Sequence, residues 1–211
     1  MDIQGRTSSG TLVGAAASAP GALYTQDFAA RYEAMCLKGN VYMCANQSGV
    51  TSQAGLSGTT PVLALYNPAN SGVYVSLLFA GAIEIVATAT THAVWLGSHQ
   101  TTAAAKAVTA VGTISTSTRN ALIGTSTQGG QAQACLAGTA TTPIAIDILG
   151  ALGTVAVTSW MQQVTYGKWY DGSVILTPDS AVSIQTGAAS GSAGLLCNYI
   201  WREIAITALP Q

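Results

Sequence analysis

Val62-Leu63-Ala64-Leu65-Tyr66-Asn67-Pro68-Ala69-Asn70-Ser71-Gly72, followed by the apolar run 73–86, is the stretch whose reading decides the fold. Its first five residues are short and apolar. Pro68 drives Asn67 into extended backbone, and Asn70 and Gly72 tolerate positive φ, so 67–72 reads as a turn. Beyond it Val73, Val75, Leu77, Phe79, Ile83 and Ile85 recur with period two. Tyr74, Ser76, Ala80, Ala82 and Glu84 fill the alternate face, as a half-buried strand requires. β-Branched and aromatic side chains suit a pleated surface better than a helix. The stretch therefore reads as a β-hairpin. A bend or bulge is expected near Gly81, because a strand of this length rarely stays regular.

Working outward, residues 1–24 are rich in Gly, Ala and Ser and read as a flexible arm that orders against a partner. Residues 25–211 read as one β-sandwich domain. A helix is expected over 26–37, capped by Asp27 and stopped by Gly39-Asn40. Strands are expected at 41–45, 93–97 and 172–176, and at 107–111, where 103–110 also fits a helical turn. Segments 143–149 and 154–157 flank Gly150 and Gly153, which suggests a turn between them. Thr177-Pro178-Asp179-Ser180 is a second turn, followed by the alternating run 181–186. In 195–206, Cys197, Tyr199 and Trp201 fall on one side, with Leu196, Asn198, Ile200 and Arg202 on the other. Many short strands between Gly and Pro turns define the expected class: all-β, a jelly-roll-like β-sandwich with an extended N-terminal arm and one short helix.

Hydrophobic residues make up 49% of the 211 and charged residues only 7%, against about 25% charged in ordinary globular chains. A freely diffusing monomer needs surface charge to stay dissolved, so this composition points to an oligomer or an assembly subunit. No apolar run reaches the ~18 residues of a spanning helix. With net charge −1 and seven isolated Lys and Arg residues, no basic stripe exists to bind nucleic acid directly. Cys36, Cys44, Cys135 and Cys197 show no CxxC spacing and sit among apolar or small residues. They read as buried free thiols suited to a reducing cytoplasm, with a Cys36–Cys44 disulfide as the alternative.

Three stretches carry a family resemblance: Arg31-Tyr32-Glu33 with Lys38-Gly39-Asn40-Val41-Tyr42; Leu65-Tyr66-Asn67-Pro68-Ala69-Asn70-Ser71-Gly72; and 176–184 with Tyr199-Ile200-Trp201-Arg202-Glu203-Ile204. Together they resemble a group of tailed-bacteriophage virion proteins, β-sandwich subunits found on heads or in tail structures. Asn70 stands where that pattern usually has Gly, and Arg202 where it usually has an acidic residue. Residues 88–168 take no part. The resemblance implies a structural role in the virion, with assembly in the host cytoplasm.

Catalytic chemistry is sparse. There is no GxSxG elbow, phosphate-binding loop or HExxH pair, and no catalytic, cofactor or metal site is expected. His92 and His99 are weighed as metal ligands and read as ordinary polar residues. Asp171 and Asp179 are weighed as a glycosidase pair and read as turn residues. Glu84 and Glu203 are candidates to pair with Arg31 or Arg202 at an interface, or to sit on a solvated edge. Trp160, Trp169 and Tyr170, with Tyr166 nearby, form an aromatic cluster suited to an interface or core, or to sugar binding. The candidate interface residues are Leu12, Val13, Leu23, Tyr24, Trp160, Trp169 and Tyr170. The expected protein is a non-enzymatic homotrimer that decorates or cements a phage head by binding the major capsid protein or other virion subunits. A tail or head fibre subunit that binds host glycan is the alternative.

Overall fold

The computed structural model describes residues 4–6, 12–14, 16–17, 23–24, 32–51, 55–56, 61–84, 92–100, 108–110, 113–114, 118–124, 130–136, 139–152, 165–187 and 194–208. The chain divides into two units, Met1–Ala34 and Met35–Gln211. In the first, β1 (Gln4–Arg6) pairs antiparallel with β2 (Leu12–Gly14), and β3 (Ala16–Ala17) with β4 (Leu23–Tyr24). The helix α1 spans Glu33–Leu37 alone. The rest of the helix expected over 26–37 lies outside the described residues, apart from Tyr32, which sits in a turn. The amide of Gly39, at φ 70°, and that of Asn40 bond back to Cys36 and Met35 and end the helix.

The second unit holds β5 (Val41–Ala45), β6 (Leu63–Asn67), β7 (Val73–Glu84), β8 (His92–His99), β9 (Val108–Ala110), β10 (Thr113–Ile114), β11 (Arg119–Asn120), β12 (Gln133–Leu136), β13 (Thr139–Ala140), β14 (Ile144–Leu152), β15 (Thr165–Leu176), β16 (Ser180–Thr186) and β17 (Leu195–Ala205). One antiparallel sheet runs β11-β5-β17-β7-β15. The other runs β10-β12-β6-β16-β8-β14, and β13 pairs with β9 separately. The protein is thus an all-β sandwich. Among the described residues, number the eight strands of five or more residues 1 to 8 in chain order. One sheet then reads 1-8-3-6 and the other 2-7-4-5.

This order overturns the hairpin expected over 62–86. Both strands and the turn are present, but β6 and β7 lie in different sheets, and 68–72 crosses between them. The hydrogen-bonding edges of β6 are taken by β12 and β16, and those of β7 by β17 and β15. Asn67 holds the corner. It is fully buried, and its Nδ2 donates to the carbonyls of Val73 (2.9 Å) and Leu176 (3.1 Å). Gly72, at φ 70°, supplies the left-handed residue of the turn, and Asn70 does not.

The bulge in β7 lies at Leu78 rather than near Gly81. Ile200 pairs with Phe79 and Trp201 with Leu77, so Leu78 is the extra residue. An extra residue reverses the alternation. Val75 and Leu77 face the core before it, and Ala80 and Ala82 after it. Phe79 and Ile83, expected on the core face, turn outward. Strand β14 also departs from expectation: it runs through Gly150 without a turn. A Cβ at Gly150 would lie 2.1 Å from the Tyr166 ring, so glycine there makes room for the aromatic between the sheets.

The core lies between the sheets. Trp201, Tyr199, Leu63, Leu65, Leu77, Leu96, Ile184 and Leu195 are at most 1% exposed, and burying each apolar side chain is worth about 1.5–3 kcal/mol. Strand β17 alternates as expected, with Cys197, Tyr199, Trp201 and Glu203 buried. All four cysteines are free thiols; Cys44, Cys135 and Cys197 are buried and Cys36 half-buried.

Candidate interaction surface

Several residues weighed for chemistry serve the fold. Asp171 and Asp179 have φ of 52° and 59°, the left-handed backbone that Asp supplies in bulges and turns. Asp171 and Gly172 form a bulge in β15 in which residues 170–173 stand opposite Leu78 alone. Glu203 does not sit on a solvated edge, and among the described residues, which exclude Arg31, its carboxylate bonds to amides and an indole. It is 8% exposed and accepts from the amides of Gln131 and Ala132 (both 2.9 Å) and from Trp201 Nε1 (3.3 Å). A carboxylate here replaces the strand partner that the 131–132 corner lacks.

His99 is 1% exposed. Its Nδ1 lies 2.6 Å from the Thr141 carbonyl and its Nε2 2.7 Å from Ser183 Oγ. Because a carbonyl only accepts, Nδ1 carries the proton and Nε2 accepts from the Ser183 hydroxyl. Ser183 Oγ accepts in turn from Gln185 Nε2 (2.6 Å). Burial pushes the imidazole pKa down, against the opposing pull of the Thr141 carbonyl. A Ser–His contact is also the core of a nucleophilic dyad. Here both residues are closed to solvent, and the proton on Nδ1 goes to a backbone carbonyl instead of a carboxylate. The network joins β8, β16 and the 139–143 segment. Among the described residues, no cluster of three or more His, Cys, Asp or Glu could hold a metal.

Of the candidate interface residues, Leu12 and Val13 lie in β2 and Leu23 and Tyr24 in β4; Trp160 lies outside the described residues. The expected aromatic cluster is divided by the strand it sits on. Tyr166 and Tyr170 point inward from β15 and are 4% and 7% exposed, while Trp169 points outward and is 54% exposed. Tyr170 belongs to a clasp between the sheets. Its hydroxyl donates to Asp147 Oδ2 (2.9 Å), Lys168 Nζ lies 2.8 Å from the same oxygen, and the Ile148 amide donates to Oδ1 (2.9 Å). Burial and the adjoining carboxylate raise the Tyr170 pKa. Partial burial opposes ionisation of Asp147, yet the bonds from Lys168, Tyr170 and the Ile148 amide hold its carboxyl below its ordinary value. The clasp joins β14 and β15, the terminal strands of the two sheets. These strands carry Ile144, Ile146, Ile148, Trp169 and Ile175, all 45–65% exposed.

Trp169 also begins a row that the sequence reading missed. In register across the outer face of the five-stranded sheet lie Trp169, Phe79, Ile200, Met43 and Arg119, one from each strand. The adjacent row is Gly167, Gly81, Asn198 and Ala45. The Phe79 ring folds over both glycines: a Cβ at either would come within 2.6 Å of it. Phe79 and Trp169 are packed with centroids 5.0 Å apart at 55°. On the other side of β17 the face opens into a cavity of about 470 Å³, lined by Met43, Ile200, Arg119, Ile123, Asn198 and Gln47 among others. Ile123 at its rim is 87% exposed. Arg202 lies on the same face, its Nε buried with no acceptor among the described residues.

Compared with protein-family models, curated proteins and solved structures, the chain matches none.

Proposed function

We propose that this chain is a non-enzymatic, self-associating structural subunit of a virion, a jelly-roll sandwich that decorates a phage head. The observation that carries the proposal is the quantity of large apolar side chain left at the surface of a chain with 7% charge. Ile123, Ile144, Ile146, Ile148, Trp169 and Ile175 are each 45–87% exposed. Burying side chains of this size against a partner is worth about 1–3 kcal/mol each before ordering costs. The strand order 1-8-3-6 facing 2-7-4-5 supports the jelly-roll reading, an architecture shared by viral capsid and lectin domains. Because fold alone does not assign function, the virion role rests on the sequence resemblance together with this surface. The glycan-binding alternative draws less support from the described residues, in which Tyr166 and Tyr170 face the core and Trp169 alone of the three is exposed; Trp160 lies outside them.

The mechanism proposed is binding alone: apolar surface shared between subunits and shell proteins adds buried area that resists outward pressure. The test is co-sedimentation of the purified chain with phage heads lacking their decoration protein, followed by thermal release of DNA. Saturable binding with a higher release temperature is expected. Absence of binding, or release unchanged at saturation, contradicts the proposal.

A further inference from the structure

We infer that the outer face of the five-stranded sheet is a self-complementary, two-fold interface in which the Phe79–Trp169 pair of each chain enters the Met43–Ile200–Arg119 cavity of a second copy. The inference rests on the self-association proposed above and names its surface and symmetry.

Strand β17 is the middle strand of the sheet, with β7 and β15 on one side and β5 and β11 on the other. The face is therefore divided at β17: on one half the 54%-exposed Trp169 packed against the flat-lying Phe79, on the other a cavity. Let two copies face each other, related by a two-fold axis lying along β17. The rotation exchanges the halves, so each aromatic pair, with Trp169 as its exposed member, meets a cavity. In register terms, Trp169 meets Arg119 of the second copy, Phe79 meets Met43, and Ile200 meets Ile200 at the axis. Each pairing is chemically favourable: guanidinium over indole, thioether against a ring, and aliphatic against aliphatic.

The dimensions agree. A cavity of about 470 Å³ lies within the range that buries whole ring systems. The long strands β17, β7 and β15, with the shorter β5 and β11 and the 121–124 segment beside them, give a face on the order of 500 Å² at ~4.8 Å spacing and ~3.3 Å per residue. Two such faces bury about 1,000 Å² in total, the lower end of what specific interfaces bury. Sheets packing face to face with nearly aligned strands is itself a common arrangement. Trp, Phe, Met and Arg are the residue types enriched where proteins bind proteins. A two-fold contact also closes on itself, so it gives a discrete assembly instead of a filament. It makes the number of chains even, in place of the homotrimer expected from sequence.

The test uses the full chain carrying Cys36→Ser, which removes the half-buried thiol, with Ile200→Cys added. Only a residue near the two-fold axis can cross-link to its own copy. Mild oxidation should give a covalent dimer on a non-reducing gel, while Thr177→Cys, an exposed turn position off this face, should not. Separately, Trp169→Ala, half-exposed and so tolerated by the fold, should weaken self-association at least tenfold in sedimentation velocity. If the protein self-associates but neither effect is seen, or if its native mass is an odd multiple of one chain, association uses another surface. The inference then falls while the self-association reading stands. If the chain stays monomeric at micromolar concentration, both fall. Protection of Trp169 from oxidation only in the presence of phage heads would assign the face to a different virion protein and overturn the inference.

Discussion

Substitution of Asn67 by Asp changes one atom at the corner where the two sheets are joined, and its consequence can be worked from the geometry. The native amide donates two hydrogen bonds, to the carbonyls of Val73 and Leu176, from a site with no solvent exposure. A carboxylate of the same shape has no donor and presents negative oxygen to both carbonyls. Each lost bond that leaves a buried carbonyl unpaired costs about 1–3 kcal/mol, and the unpaired buried charge adds more. Asn67→Asp should therefore lose about 3–5 kcal/mol at neutral pH. With a urea dependence of about 2–3 kcal/mol per M, the midpoint should fall by about 1–2 M. The sign of the pH dependence gives an internal control. The protonated acid has one O–H donor and restores one bond, so burial raises the variant's folded pKa above the unfolded value of about 3.9. A group with a raised folded pKa contributes its stability below the unfolded pKa and loses it as pH rises through the folded one. The deficit against wild type should thus shrink as pH falls toward 4. A midpoint equal to wild type, or a deficit independent of pH between 4 and 8, would refute the corner as described.

Gly72→Val should cost roughly 1 kcal/mol or more by the same unfolding assay; at φ 70°, with no atom within 4 Å of an added Cβ, the penalty comes from the backbone alone. Glu203→Ala leaves two amides and an indole N–H without their acceptor and should lose about 3–5 kcal/mol, with Glu203→Gln losing clearly less. Burial lowers the folded pKa of His99 below the unfolded value of about 6.5, so below that pH the unfolded chain binds a proton the folded one does not. Stability should fall as pH drops below about 6.5, by up to ~1.4 kcal/mol per unit, and this slope should flatten in His99→Gln. Persistence of the full slope in that variant would show that another group titrates.

Period-two alternation located β16 and β17 almost to the residue, the short segment 41–45 was read as β5, and turn chemistry located Asp171, Gly72 and Asp179, because these are local properties of the chain. Pairing was not legible. Nothing in 62–86 records that β12 and β16 compete for β6, so the turn at 67–72 read as a hairpin when it is a crossing between sheets. The bulge at Leu78 was equally hidden, since it arises from mismatch with β15 and β17, and it sent Phe79 to the face opposite the one alternation predicts. The candidate surface was half legible. Trp169 stood out by residue type, but its row with Phe79, Ile200, Met43 and Arg119 exists only through register across five strands. Gly81 and Gly167 offered the one local hint, as small residues that let a ring lie flat on a sheet.

Association of this sandwich through the apolar surface it leaves uncovered is the property on which its proposed role depends. Light scattering coupled to size exclusion at micromolar concentration and moderate salt measures that directly. A single species of two or more 21.3 kDa chains is expected, unchanged when ionic strength is raised because the contact is mainly apolar. A homogeneous 21.3 kDa species across that concentration range would contradict it.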